Sequence, residues 1–497
     1  MKSSVAAPPA ESYRAAPLWR WLVPSLTQWI WLVLLLLLIS QPWRTLMVAS
    51  DGDACMHWRV GEWMLENHQI IRHDVFSHTR PGQPIISKEW LAEIIFAIAG
   101  RLGGLFGVSL VGALLIATTF ALLHRQLLRE GNAILAATIV TLLASWSAHS
   151  HWMARPHAFS FLLTLLWHDA LRRYEQSTNA RALAVRLGAL MLLWVNLHGA
   201  FIAGFIILGA YWLGAVVTRD RRKLRALTAV ALECGLVSLA NPSGYKLHLH
   251  NLAFLHSDFF KGWLGEYSSV PFGSLDTLGF SVWLALMFVT LAVWRPRVRA
   301  SEALVLISWT YFALYSVRNV PLLTILSAPI IAPAISEVER RKWGDLSRAM
   351  RRVNDGACGW PVVALVAVAA IGFVPHPTEM PAKDWPVDAV AFIRRHPEQF
   401  DGNMFNQYTW GGYLMEALPE HKVFVDGRTD FYGEELIKEF SDATALRSNW
   451  VAVLSNHDVQ WTLMPNDHRL NLALALLQPQ WSCIYTDAVA SIWRKAE

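Results

Sequence analysis

The sequence predicts an all-α polytopic membrane bundle of about eleven transmembrane helices, with a small C-terminal soluble α/β domain. Composition, the length of the apolar runs and the charge of the loops between them support this prediction. Of the 497 residues, 54% are hydrophobic and only 16% are charged. An average soluble protein has roughly a quarter of its residues charged. The chain is therefore expected to fold in lipid.

The first apolar run, residues 21–43, is rich in leucine and has no small-residue cleavage site after it, so we expect a retained first span and no signal peptide. The later runs of spanning length cover approximately residues 105–123, 133–147, 158–171, 183–195, 201–217, 226–240, 278–294, 303–316, 322–335 and 361–374. The run 89–98 is too short and too acidic to cross a membrane, and we interpret it as an interfacial or re-entrant helix.

The loops between these runs alternate in charge. Arginine and lysine are concentrated in the loops 125–129, 172–186, 219–225, 295–299 and 340–352, which are expected to face the cytoplasm. The other set of loops, at 44–104, 149–157, 196–199, 241–275 and 318–319 and after residue 376, is expected to face outward. Every step from one set to the other crosses one run. The alternation predicts a multi-pass membrane protein with its N-terminus in the cytoplasm. Residues 1–20 form its cytoplasmic N-terminus, 21–376 its transmembrane domain and 377–497 its extracytoplasmic domain. The basic loops also account for the formal charge of +5, so no nucleic-acid partner is predicted.

The C-terminal region changes character. Segments typical of strands, at 422–425, 461–464 and 482–485, alternate with helical stretches at 434–440 and 470–477. The Asp426-Gly427-Arg428 turn follows the first of these segments, where α/β sheets often bind ligands, although such residues also simply favour a turn. We expect a small α/β domain outside the membrane, with acceptor recognition as a candidate role.

Most of the ionisable motifs fall in the predicted outer loops. The first of these loops, residues 44–104, opens with Asp51-Gly52-Asp53 directly after the first span, where a lipid headgroup would lie. Two carboxylates at this place can share a metal ion, or one can act as a general base while the other orients the acceptor. Asp53 can also merely cap the helix that follows. His57 lies close to this pair in the sequence and is a further candidate.

Histidines raise a separate metal hypothesis. His149, His151, His157 and His198 are all expected on the outer side, and imidazole nitrogens are good ligands for zinc. Histidines at helix ends also serve as hydrogen-bonding groups, and this alternative stays open. The four cysteines are widely scattered, without the close spacing of a zinc site or a disulfide framework.

The order of these motifs resembles a bacterial family of multispanning proteins related to the GT-C glycosyltransferases, among them mannosyl- and aminoarabinosyl-transferases. The resemblance covers most of the chain, from the first outer loop to the C-terminal region. Its motifs are Asp51–Trp90 with Glu62, Asp74 and Glu89; Ala154-Arg155-Pro156-His157; Asn196-Leu197-His198-Gly199; Asn241-Pro242-Ser243-Gly244; Glu266-Tyr267; Arg318-Asn319-Val320-Pro321; Trp410-Gly411-Gly412-Tyr413; and Val423–Asp430. The sequence departs from the family pattern at 54–56, at Lys88 and at Tyr267.

The resemblance implies an enzyme that transfers a sugar from a polyprenyl-phosphate carrier to an extracytoplasmic acceptor, which is a glycan, a lipid or a protein. Asp53 or Asp51 would be the catalytic base, and inversion is the expected outcome. Arg155 and Arg318, with Lys246, are candidates to bind the donor phosphate, because its charge grows in the transition state. Arginines at helix ends can instead extend toward lipid headgroups.

The other predicted substrate-binding residues are His57, Glu62, Asp74, Glu89, His157, Asn196, His198, Asn241 and Glu266. No cofactor is predicted with certainty. A divalent metal ion remains an open alternative, with Asp51, Asp53 and His57 as its candidate ligands. Two rival functions are also open: a lipid-linked glycan transporter or flippase, and a noncatalytic polysaccharide-assembly protein. A transporter would favour inverted repeats and polar residues near mid-membrane, and neither is clear in the sequence.

Overall fold

The computed structural model describes residues 19–50, 52–376 and 379–496. Asp51, one of the two carboxylates predicted to be catalytic, lies outside these residues. Most of the described chain is helical, and one small sheet lies near the C-terminus. This architecture confirms the predicted fold class, since long Leu- and Ala-rich segments pair their backbone groups internally only as helices.

The helices follow one another through the chain with short connections. They are Trp19–Leu22, Leu26–Ile39, Gln41–Ala49, Asp53–Asn67, Trp90–Arg129, Ile134–Ala148, His157–Ser177, Ala180–Leu197, Ile202–Val217, Arg221–Val237, Tyr245–His256, Asp258–Trp263, Leu278–Val289, Ala300–Tyr315, Val320–Gly356, Trp360–Phe373, Val387–Arg395, Gly411–Ala417, Thr429–Thr444, Trp450–Asn456 and Arg469–Ala475. Short 3-10 turns at His149–His151, Gly199–Phe201, Gly265–Tyr267 and Val317–Asn319 carry residues of the candidate site.

Each predicted apolar run is mostly helical, although the first, 21–43, is interrupted at 23–25 and at Ser40. Among the described residues, six helical segments are long and apolar enough to span a membrane: Arg20–Ile39, Trp90–Arg129, Ala180–Leu197, Gly199–Val217, Leu275–Trp294 and Val317–Gly356. Trp360–Phe373 is apolar but shorter. These features establish a multi-pass membrane protein, while the count of eleven spans stays a prediction.

The predicted interfacial helix at 89–98 forms the first part of the long helix Trp90–Arg129. Gly103 and Gly104 have non-helical backbone angles, and Gly104 has a φ of 58°. A break at this place is expected, since glycine adopts positive φ without steric cost. The residues before the break therefore form an arm with its own direction, ahead of the apolar segment that begins near Leu105.

The sheet has four strands, β1 (Asn403–Asn406), β2 (Val459–Pro465), β3 (Trp481–Thr486) and β4 (Ala490–Lys495), in the order β1-β2-β4-β3. β1 pairs with β2 in parallel, and the other neighbours are antiparallel. The strands predicted at 461–464 and 482–485 are confirmed, and so are the helices predicted at 434–440 and 470–477. The strand predicted at 422–425 is wrong: it forms only an isolated bridge between Val423 and Ser77 of the first outer loop.

The C-terminal unit and the first outer loop share one hydrophobic cluster. Cys55, Met56 and Val60 of the helix Asp53–Asn67 are buried in it together with Tyr413 and Leu414 of the helix Gly411–Ala417. The backbone N–H of Val423 also donates to the carbonyl of Phe76 at 3.0 Å. Because this contact buries apolar side chains from both sides, it fixes the C-terminal unit over the start of the first outer loop.

The two sets of loops meet at different ends of the bundle. Among the loops predicted to be cytoplasmic, Arg172 pairs with Glu130 at 2.8 Å and with Glu302 at 2.6 Å. The predicted outer loops instead converge, with the C-terminal unit, around a cavity. This segregation agrees with the alternating loop charges.

Candidate active site

A cavity of about 830 Å³ lies where the predicted outer loops meet the C-terminal unit. Its volume is in the range typical of ligand pockets. The ionisable and hydroxyl-bearing residues of its wall include Asp53, His57, Lys88, Glu89, Glu93, His151, Arg155, His157, His198, His250, Glu266, Tyr267, Arg318, Tyr408, Arg428, Thr429 and Asp430. Residues that are distant in the sequence are therefore gathered at one place.

Asp53 begins the helix Asp53–Asn67, and Gly52 is the N-cap residue. The Asp53 side chain is 21% exposed, and its Oδ2 lies 3.1 Å from Nη1 of Arg155. Burial raises the pKa of Asp53 to about 7; His57 opposes this shift, and the charges of Glu266, Asp426 and Glu89 add to it. A carboxylate with a pKa near neutral can accept a proton under physiological conditions, which is what a general base requires.

Glu266 holds two arginines together on one wall of the cavity. Arg318 Nη1 lies 3.3 Å from Glu266 Oε1, and Arg155 Nη1 lies 3.7 Å from Glu266 Oε2. Burial opposes ionisation of Glu266, but Arg318 and Arg155 outweigh it and lower its pKa to about 2. The turns Gly265–Tyr267 and Val317–Asn319 are tied together, because Oγ of Ser316, the residue before the second turn, donates to the Glu266 carbonyl at 2.8 Å. The result is a prearranged cationic surface.

Lys88 shares a carboxylate of the C-terminal unit with His250. Its ammonium group pairs with Asp430 of the C-terminal unit, and His250 Nε2 lies 2.7 Å from the same carboxylate. Burial disfavours the charged forms, yet Asp430 raises the pKa of Lys88, and Lys88 and His250 lower the pKa of Asp430. These three residues join the first outer loop, the helix Tyr245–His256 and the C-terminal unit.

A second acidic group lies beside Asp53. His57 Nδ1 is 3.3 Å from Glu93 Oε1, and His198 Nε2 is 3.4 Å from Glu89 Oε1. Glu89 is the N-cap residue of the helix Trp90–Arg129, but its side chain makes no cap hydrogen bond. One ligand atom each from His57, Glu89 and Glu93 lies within 4.8 Å of the others, so this group could hold a metal ion. One imidazole and two carboxylates suit a divalent cation.

Three of the other histidines of the metal hypothesis lie near one another: the ring centroids of His151 and His157 are 4.7 Å apart, and those of His157 and His198 are 6.5 Å apart. His157 Nε2 lies 3.1 Å from the His151 carbonyl, and His198 Nδ1 lies 2.8 Å from Ser160 Oγ. His149 is partly buried, with its Nδ1 2.6 Å from the Trp146 carbonyl. Hydrogen bonding within the protein therefore accounts for a nitrogen on each of His149, His157 and His198.

Five of the predicted site residues do not line the cavity. They are Glu62, Asp74, Asn196, Asn241 and Lys246. Glu62 pairs with Arg101 at 2.9 Å near the surface, and Lys246 is exposed. Trp90 Nε1 donates to Asn196 at 2.7 Å. Asn241 forms hydrogen bonds within its own turn. Asp74 is buried and accepts from Ser77 and Arg428. The contacts of these residues are with other protein groups.

Four ionisable residues of the cavity wall had no predicted role in substrate binding: Lys88, Glu93, His250 and Asp430. Lys88 stood out only as a departure from the family pattern. Asp430 is the last residue of the motif Val423–Asp430. Nothing in a single sequence places it beside Lys88, because the folding of distant segments brings the two residues together. His250 lies in the helix Tyr245–His256 with four other polar or basic residues, Lys246, His248, Asn251 and His256, so the sequence gives it no distinctive signal.

No family model matches the chain, and no curated protein matches it in sequence. Its structure is similar to archaeal oligosaccharyltransferase AglB from Archaeoglobus fulgidus in complex with an inhibitory peptide and a dolichol-phosphate. That alignment has a TM-score of 0.61 and 14% identity, over 88% of this chain and 69% of the AglB chain. The apo form of the A. fulgidus oligosaccharyltransferase gives a TM-score of 0.57 at 13% identity, over 88% and 69% of the two chains.

The structure is also similar to ArnT from Cupriavidus metallidurans in the apo state. The TM-score is 0.52 at 14% identity, and the alignment covers 94% of this chain and 97% of ArnT. Both neighbours are GT-C glycosyltransferases. Similarity at this level of identity establishes the fold, so the family resemblance predicted from the motifs is confirmed in architecture. The chain shares the GT-C fold of these two structures.

Proposed function

We propose that the protein is a membrane glycosyltransferase that takes a sugar from a polyprenyl-phosphate carrier and transfers it to an extracytoplasmic acceptor. The observation that carries this proposal is Asp53: a carboxylate with a pKa of about 7 faces a large cavity and lies 3.1 Å from an arginine. The fold supports the same function, because AglB was solved with a dolichol-phosphate and an inhibitory peptide, a lipid phosphate and an acceptor-like ligand.

In the proposed reaction Asp53 accepts the proton of an acceptor hydroxyl. The hydroxyl oxygen forms a bond to the anomeric carbon of the sugar while the bond from that carbon to the phosphate oxygen breaks. A single displacement of this kind inverts the anomeric centre. Polyprenyl phosphate leaves with the electron pair, and the proton on Asp53 passes to solvent as the site resets. Asp51, the other candidate base predicted from the sequence, lies outside the described residues.

The leaving phosphate needs cations that are already in place. Arg318 and Arg155 supply guanidinium groups on the wall organised by Glu266, and Lys88 adds an ammonium group. Arginine suits phosphate because its planar fork donates two parallel hydrogen bonds. Lys88 takes the place in the cavity that the sequence suggested for Lys246. We further propose that Glu89, His57, His157 and His198 contact the sugar or the acceptor.

A divalent metal ion fits the donors His57, Glu89 and Glu93 in chemical type. Bound there, it would neutralise acidic charge beside the reacting groups and could polarise a substrate oxygen. Asp53 lies outside this group of three, so the proton transfer above depends on the protein's own residues. Metal binding can be tested by comparing Zn²⁺ and Mn²⁺ content in the parent and in Glu93→Gln, with Glu62→Gln as a matched control.

The proposed location is the bacterial inner membrane, with the cavity and the C-terminal unit outside the cytoplasm. Reporter fusions after Gly131 and after Ser274 would test this orientation, because the first position belongs to a predicted cytoplasmic loop and the second to an outer loop. A cytoplasmic signal from the second fusion would contradict it.

Activity can be tested with the purified full-length protein in detergent. A panel of radiolabelled polyprenyl-phosphate sugars is supplied with a bacterial envelope extract as the acceptor source, and released polyprenyl phosphate is measured. We expect turnover with at least one donor, and a loss of about 100-fold or more in Asp53→Asn. A transporter or assembly protein would cleave no donor in detergent, where there are no compartments. Unchanged turnover in Asp53→Asn would refute the base assignment.

A further inference from the structure

We propose that the Asp426-Gly427-Arg428 turn of the C-terminal unit is a positioning element, whose backbone at Gly427 holds the Asp53 carboxylate in place against Arg155. This inference rests on the proposed function, because it concerns the orientation of the proposed base. It gives the C-terminal unit a part in the chemistry beyond binding an acceptor.

The first observation is a close approach. A Cβ atom placed on Gly427 would lie 1.8 Å from Oδ1 of Asp53, 2.7 Å from its Cγ and 3.2 Å from its Oδ2. All three of its nearest atoms therefore belong to Asp53. Gly427 is not among the glycines with positive φ. Glycine is consequently needed here for space and not for backbone conformation.

A second close approach involves Gly52, the residue before Asp53. A Cβ on Gly412 would lie 2.4 Å from the carbonyl oxygen of Gly52, and a Cβ on Gly52 would lie 2.7 Å from the carbonyl oxygen of Thr409. The backbone of the C-terminal unit therefore closes on the residue before Asp53 as well. Glycines on both segments permit this contact, which leaves the start of the helix little freedom.

The turn itself is held rigidly. Arg428 donates from Nε and Nη2 to the two oxygens of Asp426 at 2.8 and 2.6 Å, and from Nη1 to Asp74 at 2.7 Å. The Tyr432 hydroxyl donates to Asp426 at 2.5 Å. The side chains of Asp74 and Asp426 are completely buried. Since Asp74 belongs to the first outer loop, this network fastens the turn to the segment that carries Asp53.

The Asp53 carboxylate is thus confined between a cation and a backbone wall. Arg155 lies 3.1 Å from Oδ2, while Gly427 faces Oδ1. A general base works only within hydrogen-bonding reach of the proton that it accepts, and a displacement of about 1 Å can cost roughly 100-fold in rate. A turn that packs directly against the carboxylate while Arg155 pairs with it would meet this requirement.

Gly427→Ala in the full-length protein tests the idea. We expect kcat for donor turnover to fall by about tenfold or more, with the donor KM within about twofold of the parent, because the three atoms nearest the new methyl group all belong to Asp53 and none to a phosphate-binding side chain. Gly273→Ala is the matched control: its Cβ would meet nothing within 4 Å, and its φ is not positive. Unchanged kcat in Gly427→Ala would overturn the inference, as would a change confined to KM.

A stability cycle provides a readout that does not depend on turnover. Gly427→Ala should lower Tm in the parent and should cost little in an Asp53→Ala background, because the three atoms nearest the new methyl group are then absent. An equal loss of Tm in both backgrounds would overturn the inference. If Asp53→Asn abolishes turnover while Gly427→Ala is normal, only the positioning role fails. If Asp53→Asn retains full turnover, the proposed base fails, and the positioning role fails with it.

Discussion

The pKa of Asp53 makes the pH dependence of turnover the most direct test of its proposed role. Burial raises this pKa from 3.8 to about 7. Because a base acts only when it is ionised, about one-tenth of the protein would be competent at pH 6 and about nine-tenths at pH 8. We therefore expect kcat/KM, which reports the free enzyme, to rise about tenfold between these values and to level off above them.

His57 is a second titratable group beside Asp53 and provides the control. Burial lowers the pKa of His57, but the hydrogen bond with Glu93 and the charges of Glu89, Glu93 and Asp53 outweigh this and raise it above its ordinary value. The positive charge of His57 lowers the pKa of Asp53, so His57→Gln should move the acidic limb of the profile to higher pH without removing it. A limb that disappears in His57→Gln, or a parent profile that is flat from pH 5.5 to 8, would refute the reasoning.

Three other predictions concern single side chains. Arg318→Lys should raise the donor KM by about tenfold, because lysine lacks the planar fork, whereas Arg101→Lys at the surface pair should leave it unchanged; steady-state kinetics on both variants decides this. Asp430→Asn should lower the free energy of unfolding by about 1–3 kcal/mol at neutral pH, since it leaves Lys88 without its carboxylate partner, and equal Tm values for variant and parent would contradict this. The pKa of Asp430 is lowered in the folded state, so its contribution is present above the unfolded pKa and is lost on acidification. Arg428→Met should cost about 3–5 kcal/mol because Asp74 and Asp426 stay buried without a cation, and thermal unfolding should show that Asp74→Asn in the same chain recovers part of the loss.

The architecture of the membrane part could be predicted because lipid imposes a simple rule. Backbone groups must be paired inside each segment, so an apolar run such as 278–294 can only be a helix. The orientation of the connecting loops can be predicted from their content of arginine and lysine. The confirmed strands at 461–464 and 482–485 follow from alternation in the same way. The segment 422–425 has the same pattern, but its hydrogen bonds go to Phe76 and to His78 of the first outer loop. Nothing in the local sequence distinguishes a strand from such a bridge.

The candidate site could be predicted only in part, because some of its partnerships form between segments that are distant in the sequence. Asp53, Arg155, Glu266 and Arg318 were chosen by chemistry and position, and the structure places all four around one cavity. The partnership of Lys88 with Asp430 crosses most of the chain and depends on the packing of the C-terminal unit. Glu62 and Glu89 are both glutamates of the first outer loop, so residue type predicts the same role for both. The Glu62 side chain nevertheless pairs with Arg101 near the surface. Side-chain direction on a helix, and not residue type, separates the two.

The shared cluster between the helices Asp53–Asn67 and Gly411–Ala417 has a consequence for biogenesis. One wall of the cavity is supplied by residues that are translated long after the segment with Asp53. A chain that lacked the C-terminal unit would still hold the long apolar helices, but its cavity would be open on that side. The cavity is therefore complete only after the C-terminal unit has docked on the helix Asp53–Asn67.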